Sequence, residues 1–153
     1  MRALRVHQLG DPALVLQMEE VETPEPGPGQ VRIRVSAAAL NFADDLLCRG
    51  KYQERPPLPF TPGLEVAGQI VETDGAASFA TGQRVMAMAA LPHGGLAEEA
   101  LAPAQTTYAI PDSLDDIHAA AMGVTYQTAH VALHRRAAIQ SGEVLLVHAG
   151  AGG

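Results

Sequence analysis

The sequence predicts an α+β fold that is mainly β up to about residue 110 and helical beyond it. Short apolar segments recur through the first part, and glycines or prolines separate them. An alanine- and leucine-rich run without proline then extends from Ser113 to Ala138, which favours helix. The apolar run Val144–Val147 before a glycine-rich segment is typical of a buried strand that enters a turn.

The composition is that of a globular protein. Of the 153 residues, 47% are hydrophobic and 18% are charged, and no apolar run is long enough to predict a membrane span. The lack of a long apolar run predicts no membrane partner. Ten basic and seventeen acidic residues give a net charge of −7, so we expect no nucleic-acid partner. The single cysteine, Cys48, excludes an internal disulfide and favours a reducing, cytoplasmic location.

Strands are predicted in order along the first part of the chain. The first two are Met1–Val6 and Leu14–Val21. The proline-rich segment at 23–29 must be a turn, because proline cannot donate to a sheet ladder. Val31–Ser36 is the clearest strand, since its valines and isoleucine alternate with polar residues and therefore share one face.

A short helix and three more strands follow. Apolar residues in Asn41–Cys48 recur at helical spacing before a glycine, which predicts a helix, and a proline-rich loop comes next. Further strands are predicted at Val66–Thr73, Arg84–Ala90 and Ala97–Ala102. Several short strands at this spacing are typical of a small barrel or sandwich.

The alanine-rich run is predicted to form two helices that part near Gly123. Ser113, Asp115 and Asp116 supply N-cap and first-turn acidic groups at one end. Basic residues at 134–136 complement the helix dipole at the other end.

The pattern predicts two domains, the first at 1–120 and the start of a second at 121–153. The second would open with the helices and the strand Val144–Val147, so we expect the chain to hold most of one domain and the beginning of another. The last four residues match the first four positions of a G-x-G-x-x-G turn, which lets a backbone approach a pyrophosphate. These residues are Gly150, Ala151, Gly152 and Gly153.

Several segments carry a resemblance to a known family. They are Leu40–Asp44 with Gly50–Tyr52, Pro62–Gly68, Gly82–Val85, Gly94–Glu98, Ala119–Ala121, Thr128–Ala129 and Gly142–Gly153. In this order and spacing they resemble the quinone oxidoreductases of the zeta-crystallin type, within the medium-chain dehydrogenase/reductase superfamily. The resemblance covers essentially all 153 residues.

The resemblance implies a GroES-like catalytic domain followed by a Rossmann domain that binds NADPH, with the substrate in the cleft between them. NADH is not distinguished, because the residues that select the cofactor lie beyond the glycine turn. Relatives of this kind are commonly homodimers. Zinc is not expected: Asn41 stands where zinc-dependent relatives carry a cysteine, Leu64 where they carry a histidine, and a zinc site needs three or four suitable ligands.

The same resemblance assigns site residues. It implies that Asn41 and Tyr52 are polar catalytic residues of the cleft that orient the substrate, and that Asn41, Thr128 and the turn Gly150–Gly153 contact the cofactor. From local sequence alone the alternatives stay open. Asn41 is also a favourable N-cap, Tyr52 could pack under the proline-rich loop, and Thr128 could bond a carbonyl of its own helix.

Three other residues invite a functional interpretation. Glu65 is equally compatible with a solvent-facing strand edge and with a functional role. His130 and His134 lie four apart on one helix face and could chelate a metal, but no third ligand is evident, so we expect no metal site.

The implied activity is NADPH-dependent hydride transfer to a quinone or an α,β-unsaturated carbonyl, acceptors that spread the incoming charge themselves. An enoyl-thioester reductase is the alternative within this class. A non-catalytic GroES-like scaffold or interaction module is the alternative outside it. We expect these 153 residues alone to be inactive.

Overall fold

The computed structural model describes residues 1–75 and 78–150. Its strands in chain order are β1 Arg2–Val6, β2 Leu16–Glu20, β3 Gln30–Ala39, β4 Glu65–Thr73, β5 Arg84–Met88, β6 Glu99–Pro103 and β7 Thr107–Ala109. Its α-helices are α1 Pro12–Val15, α2 Phe42–Cys48, α3 Asp116–Ala120 and α4 Gly123–His130, and a π-helix at Val131–Arg136 continues α4. The predicted α+β class is confirmed.

A five-stranded antiparallel sheet in the order β6-β3-β4-β5-β7 forms the body of the fold. The pairing of β3 with β4 is irregular between Arg32 and Ile33 and again between Val35 and Ala37. Such bulges bend a strand and increase its twist. The bend brings the chain after β5 to the far edge, where the Ala90 N–H donates to the Leu101 carbonyl at 2.6 Å. The sheet therefore curls as a small barrel does.

Gly68 lies at the second of these irregularities because no side chain fits there. A Cβ at this position would lie 2.0 Å from the carbonyl oxygen of Arg34. Only glycine allows β3 and β4 to approach this closely.

The interior of the sheet is apolar and follows the predicted alternation of β3. Val31 and Ile33 are fully buried and Val35 is partly buried, whereas Arg34 and Ser36 are exposed. The buried residues of this cluster are Val31, Ile33, Val66, Ile70, Val85, Ala87, Ala100 and Ala102. Burying each large aliphatic side chain stabilises the fold by about 1.5–3 kcal/mol.

A second cluster joins β1, α1 and α2 outside the sheet. It consists of Val6, Val15, Leu47, Cys48, Phe60 and Leu64, and Tyr52 packs against it. β1 pairs with β2 as a hairpin, and isolated bridges from Ala3 to Ala97 and from Val6 to Phe60 connect β1 to the rest of the fold.

Several predicted bounds differ from the structure. The segment predicted as the strand Leu14–Val21 begins as α1, because Pro12 opens a helical turn that Asp11 caps through the Ala13 N–H at 3.1 Å. The strand predicted at Ala97–Ala102 is β6, which starts at Glu99, and β7 was not predicted. The N-cap of α3 is Asp115 rather than Ser113, since the Asp115 carboxylate accepts from the His118 N–H at 2.9 Å.

The predicted strand Val144–Val147 is wrong. These residues form no strand within the described part of the chain, and Val144 is 98% exposed. A strand needs neighbours to satisfy its N–H and C=O groups, and no described strand lies beside this segment. Gly150 lies in a turn, while Ala151, Gly152 and Gly153 fall outside the described residues.

The predicted separation of the two late helices near Gly123 is confirmed by α3 and α4. Across 1–75 and 78–150, no helix has both the length and the apolar character needed to cross a membrane.

Candidate active site

Asn41 occupies the N-cap position of α2, directly after β3 and Leu40. Its backbone N–H donates to the carboxylate of Asp44 at 2.8 Å. The other oxygen of that carboxylate accepts from the Gly63 N–H at 2.9 Å. Burial raises the pKa of Asp44, and the N–H donors from Asn41, Gly63 and Leu64 oppose that rise. Asp44 therefore fixes the start of α2 against the loop that leads into β4.

Glu65 is the buried partner of the Asn41 side chain. It is the first residue of β4, lies opposite Ala39 in the sheet register, and is 2% exposed. The Asn41 Nδ2 donates to Glu65 Oε1 at 2.9 Å. The second oxygen, Oε2, accepts from the Val124 N–H at 2.7 Å. The solvent-facing alternative for Glu65 is therefore wrong.

The start of α4 leaves room for the carboxylate of Glu65 and donates a hydrogen bond to it. A Cβ on Gly123 would lie 2.8 Å from Glu65 Oε2, so a larger residue would displace the carboxylate or the helix. Val124 is the second residue of α4, where a backbone N–H has no partner within the helix. A negative charge is also favourable at this end of a helix dipole. Glu65 therefore links the start of α2 to the start of α4.

Thr128 lies four residues after Val124 on α4 and is exposed. Residues four apart occupy the same face of a helix one turn away, so Thr128 follows Val124 along that face. The hydroxyl that bonds a preceding carbonyl is that of Thr125, which donates to the Ala121 oxygen at 3.0 Å. The Thr128 hydroxyl stands at the surface.

Tyr52 is partly buried and packs against the cluster of α2, Phe60 and Leu64. The structure thus places Tyr52 beside the cluster that contains the C-terminal residues of α2, whereas Asn41 lies at the N-terminal end of that helix. Both roles expected for Tyr52, in the cleft and under the proline-rich loop, stay predictions.

A mainly apolar cavity of about 210 Å³ lies beside α2. Asn41, Asp44, Asp45 and Cys48, which share one face of the helix, contribute to its wall. Leu40, Pro62 and Leu96 are among its apolar lining residues. An apolar cavity with a few polar groups is typical of a site for a small organic ligand.

Cys48 is buried in this wall. Burial raises the pKa of its thiol, and the carboxylates of Asp44 and Asp45 raise it further. His130 and His134 lie with ring centroids 4.8 Å apart. Among the described residues, no group of three or more histidine, cysteine or acidic side chains is arranged to hold a metal ion.

Comparison with known proteins assigns the fold to a family. The sequence profile of the alcohol dehydrogenase GroES-like domain matches residues 27–112. The chain belongs to this family. The predicted GroES-like fold is therefore confirmed.

Relatives that match nearly the whole chain include quinone oxidoreductases and quinone oxidoreductase-like proteins. The chain is 41% identical over 152 residues to the quinone oxidoreductase-like protein 2 homolog of Nematostella vectensis, covering 99% of this chain and 41% of that protein. It is also 41% identical to the quinone oxidoreductase of Rattus norvegicus, covering 100% of this chain and 46% of that protein. The chain thus spans less than half the length of these curated relatives.

A solved structure shows the same similarity. The quinone oxidoreductase of Thermus thermophilus, solved also in complex with NADPH, aligns with a TM-score of 0.77 and 36% identity. The alignment covers 94% of this chain and 43% of that one. The resemblance to quinone oxidoreductases expected from the sequence is confirmed.

Sequence reasoning missed the roles of Glu65, Gly123 and Val124. The sequence signal at Gly123 is its place between two predicted helices, which indicates only a break. The signal for Glu65 was an acidic residue at the start of an apolar strand. Neither signal reveals that Glu65 and Gly123 lie side by side, because they are 58 positions apart in the sequence.

Proposed function

We propose that the protein containing this chain is an NADPH-dependent reductase that transfers hydride to a quinone or an α,β-unsaturated carbonyl. The observation that carries this proposal is the similarity to quinone oxidoreductases over 99–100% of the chain. The apolar cavity beside Asn41 supports it, because a planar organic acceptor suits such a wall.

The described residues fit the nicotinamide end of NADPH. Bound NADPH would supply the hydride. Asn41 offers a carboxamide at the cavity. Thr128 offers an exposed hydroxyl on α4, the helix whose start is bonded to Glu65. At the pyrophosphate end, the turn would begin at Gly150 and continue through Ala151, Gly152 and Gly153. We propose these residues as the cofactor contacts within this chain.

We propose that the reaction needs no zinc. The side-chain nitrogen of Asn41 is bonded to Glu65, and Leu64 is an apolar member of a buried cluster. Carboxamide nitrogens and leucine side chains are not zinc ligands, which are cysteine, histidine and carboxylate groups. A quinone or enone can accept the hydride without zinc, since it delocalises the incoming charge. Asn41 and Tyr52 then need only orient the reactants, and we propose the Tyr52 hydroxyl as the donor to the developing oxyanion.

The domain division proposed at residue 120 is supported by burial. Ala119 and Ala120 of α3 pack with Ala67 and Ile110 against the sheet. Residues 126–150 are almost all exposed. We further propose a cytoplasmic homodimer and expect the 153 residues alone to be inactive, because they span only 41–46% of the curated relatives named above.

The proposal is tested by following NADPH oxidation at 340 nm with the natural full chain and a series of acceptors. Quinones should be reduced faster than enoyl thioesters, and prior treatment with a strong chelator should not change the rate. A preference for enoyl thioesters would move the assignment to that class. No oxidation with any acceptor would overturn the proposal and leave the scaffold alternative.

A further inference from the structure

We propose that Glu65 is a positioning residue that decides which group of the Asn41 carboxamide a ligand meets. Glu65 Oε1 accepts a hydrogen bond from the Asn41 side chain at 2.9 Å, and only the Nδ2 amide of that side chain can donate one. The amide oxygen Oδ1 is bonded to the same carbon and points away from Glu65. Asn41 lines the cavity, so we take Oδ1 as the group that it presents to a ligand there.

The second bond of Glu65 makes this orientation hard to reverse. Oε2 accepts from the Val124 N–H at 2.7 Å, so each carboxylate oxygen has its own donor. Glu65 is almost completely buried, and turning it would leave a charged oxygen or the helix N–H without a partner. Gly123 lies against the same oxygen and limits its movement.

The acceptor selects ligands that donate. A sugar hydroxyl or a carboxamide N–H can bond to Oδ1, whereas a quinone carbonyl cannot, because it only accepts. This inference rests on the proposed function in one respect: it assigns the acceptor of Asn41 to the reduced dinucleotide rather than to the quinone oxygen.

Exchanging the carboxylate of Glu65 and the carboxamide of Asn41 tests the orientation of the Asn41 amide directly. In Glu65→Gln, the new Oε1 can still accept from Val124, which leaves Nε2 facing Asn41. The Asn41 amide must then turn, and it offers N–H groups to the ligand instead of an acceptor. In Asn41→Asp, two carboxylates face each other. In the double variant, the glutamine at position 65 donates to one oxygen of the aspartate at position 41, and the other oxygen again offers an acceptor.

We expect each single variant of the natural full chain to bind NADPH about tenfold more weakly. Each one removes the hydrogen bond between the Asn41 acceptor and the ligand, and a bond of this kind contributes about this much to affinity. The double variant should recover to within about threefold of wild type, because the acceptor is restored. Glu72→Gln is the matched control, since it changes a carboxylate on the same strand that pairs with Arg32. Binding by this control should equal wild type. A double variant that binds more weakly than both single variants would overturn the proposal.

A measurement without ligand separates this inference from the proposed function. In wild type, one Asn41 Nδ2 proton is bonded to a buried carboxylate and should exchange slowly with solvent. In Glu65→Gln that protection should disappear. Equal exchange rates of the Asn41 Nδ2 protons in wild type and in Glu65→Gln would contradict the proposed orientation of the Asn41 amide. Slow exchange of the Asn41 Nδ2 proton in wild type, together with no NADPH binding, would contradict the proposed function. It would still support Glu65 as the residue that orients Asn41.

Gly123→Ala provides a second route if Glu65→Gln does not fold. Its methyl group would lie 2.8 Å from Glu65 Oε2 and should displace the carboxylate. We expect the same loss of Nδ2 protection, with the far-UV circular dichroism spectrum unchanged. Retained protection in this folded variant would count against the role of Glu65.

Discussion

Arg84 of β5 is bonded to Asp116 at the start of α3. Arg84 Nη2 donates to Asp116 Oδ1 at 2.6 Å and to the Leu114 carbonyl at 2.6 Å. Both side chains are more than two-thirds buried. Because these bonds hold the end of the loop and the first residue of α3 together, they anchor the helix on the sheet just before α4 begins.

Removing this anchor should destabilise the fold. Arg84→Met keeps most of the apolar stem but leaves the Asp116 carboxylate and the Leu114 carbonyl without their donor. We expect the free energy of unfolding to fall by about 1–3 kcal/mol, the cost of leaving such groups unpaired. Urea unfolding followed by circular dichroism measures it.

Arg2→Met is the matched control. Arg2 pairs with Glu98, but the two side chains are 67% and 47% exposed. Exposed ion pairs contribute little to stability. We expect no measurable change, and equal losses in both variants would show that the Arg84 anchor has no special role.

The pKa of His93 predicts a pH dependence of stability. Burial lowers this pKa, and the nearby Arg5 guanidinium lowers it further. The unfolded chain takes up a proton near pH 6.5, whereas the folded chain does so only at lower pH. Between these values the unfolded state binds more protons, so stability rises with pH and falls as the solution is acidified.

His93→Gln should remove this contribution. The difference in unfolding free energy between the variant and wild type, measured in urea at a series of pH values, should change between about pH 6.5 and the lower folded pKa and be constant outside that window. A constant difference at every pH would show that His93 titrates alike in both states.

The periodic parts of the fold could be predicted from the sequence, and the parts that depend on distant partners could not. The alternation in β3 is local, because every second residue faces the core. The bonds of Glu65 join residues 24 and 59 positions away. No local pattern contains that information. Asn41 could be proposed as a site residue only by resemblance, and its bond to Glu65 could be found only from the structure.

Val144–Val147 shows the opposite error. Its composition is that of a buried strand, but composition states only what a segment favours when neighbours exist. The described residues place no strand beside it, and it remains an exposed segment without regular secondary structure. A strand predicted from an apolar pattern therefore forms only where a neighbouring strand can pair with it.

The thiol of Cys48 should be nearly inert in the folded protein. It is 2% exposed, and burial together with the carboxylates of Asp44 and Asp45 raises its pKa. Because the thiolate is the reactive form, we expect native protein to react with an aromatic disulfide reagent far more slowly than protein unfolded in urea. Similar rates in the two conditions would show that the cavity wall opens readily.

Thr128 should contribute to cofactor binding through its hydroxyl. In Thr128→Ala of the natural full chain, we expect KM for NADPH to rise about three- to tenfold, the cost of one hydrogen bond, while kcat changes little. Steady-state rates with NADPH varied at a saturating quinone concentration measure both constants.

Thr125→Ala is the matched control on the same helix. The Thr125 hydroxyl is already bonded to the Ala121 carbonyl, so its removal takes nothing from a ligand. Its KM for NADPH should stay within about twofold of wild type. Equal increases in both variants would mean that these substitutions act by loosening α4, and the contact assigned to Thr128 would then be wrong. A rise confined to Thr128→Ala, with both variants folded, separates a ligand contact on the exposed face of α4 from a general effect on the helix.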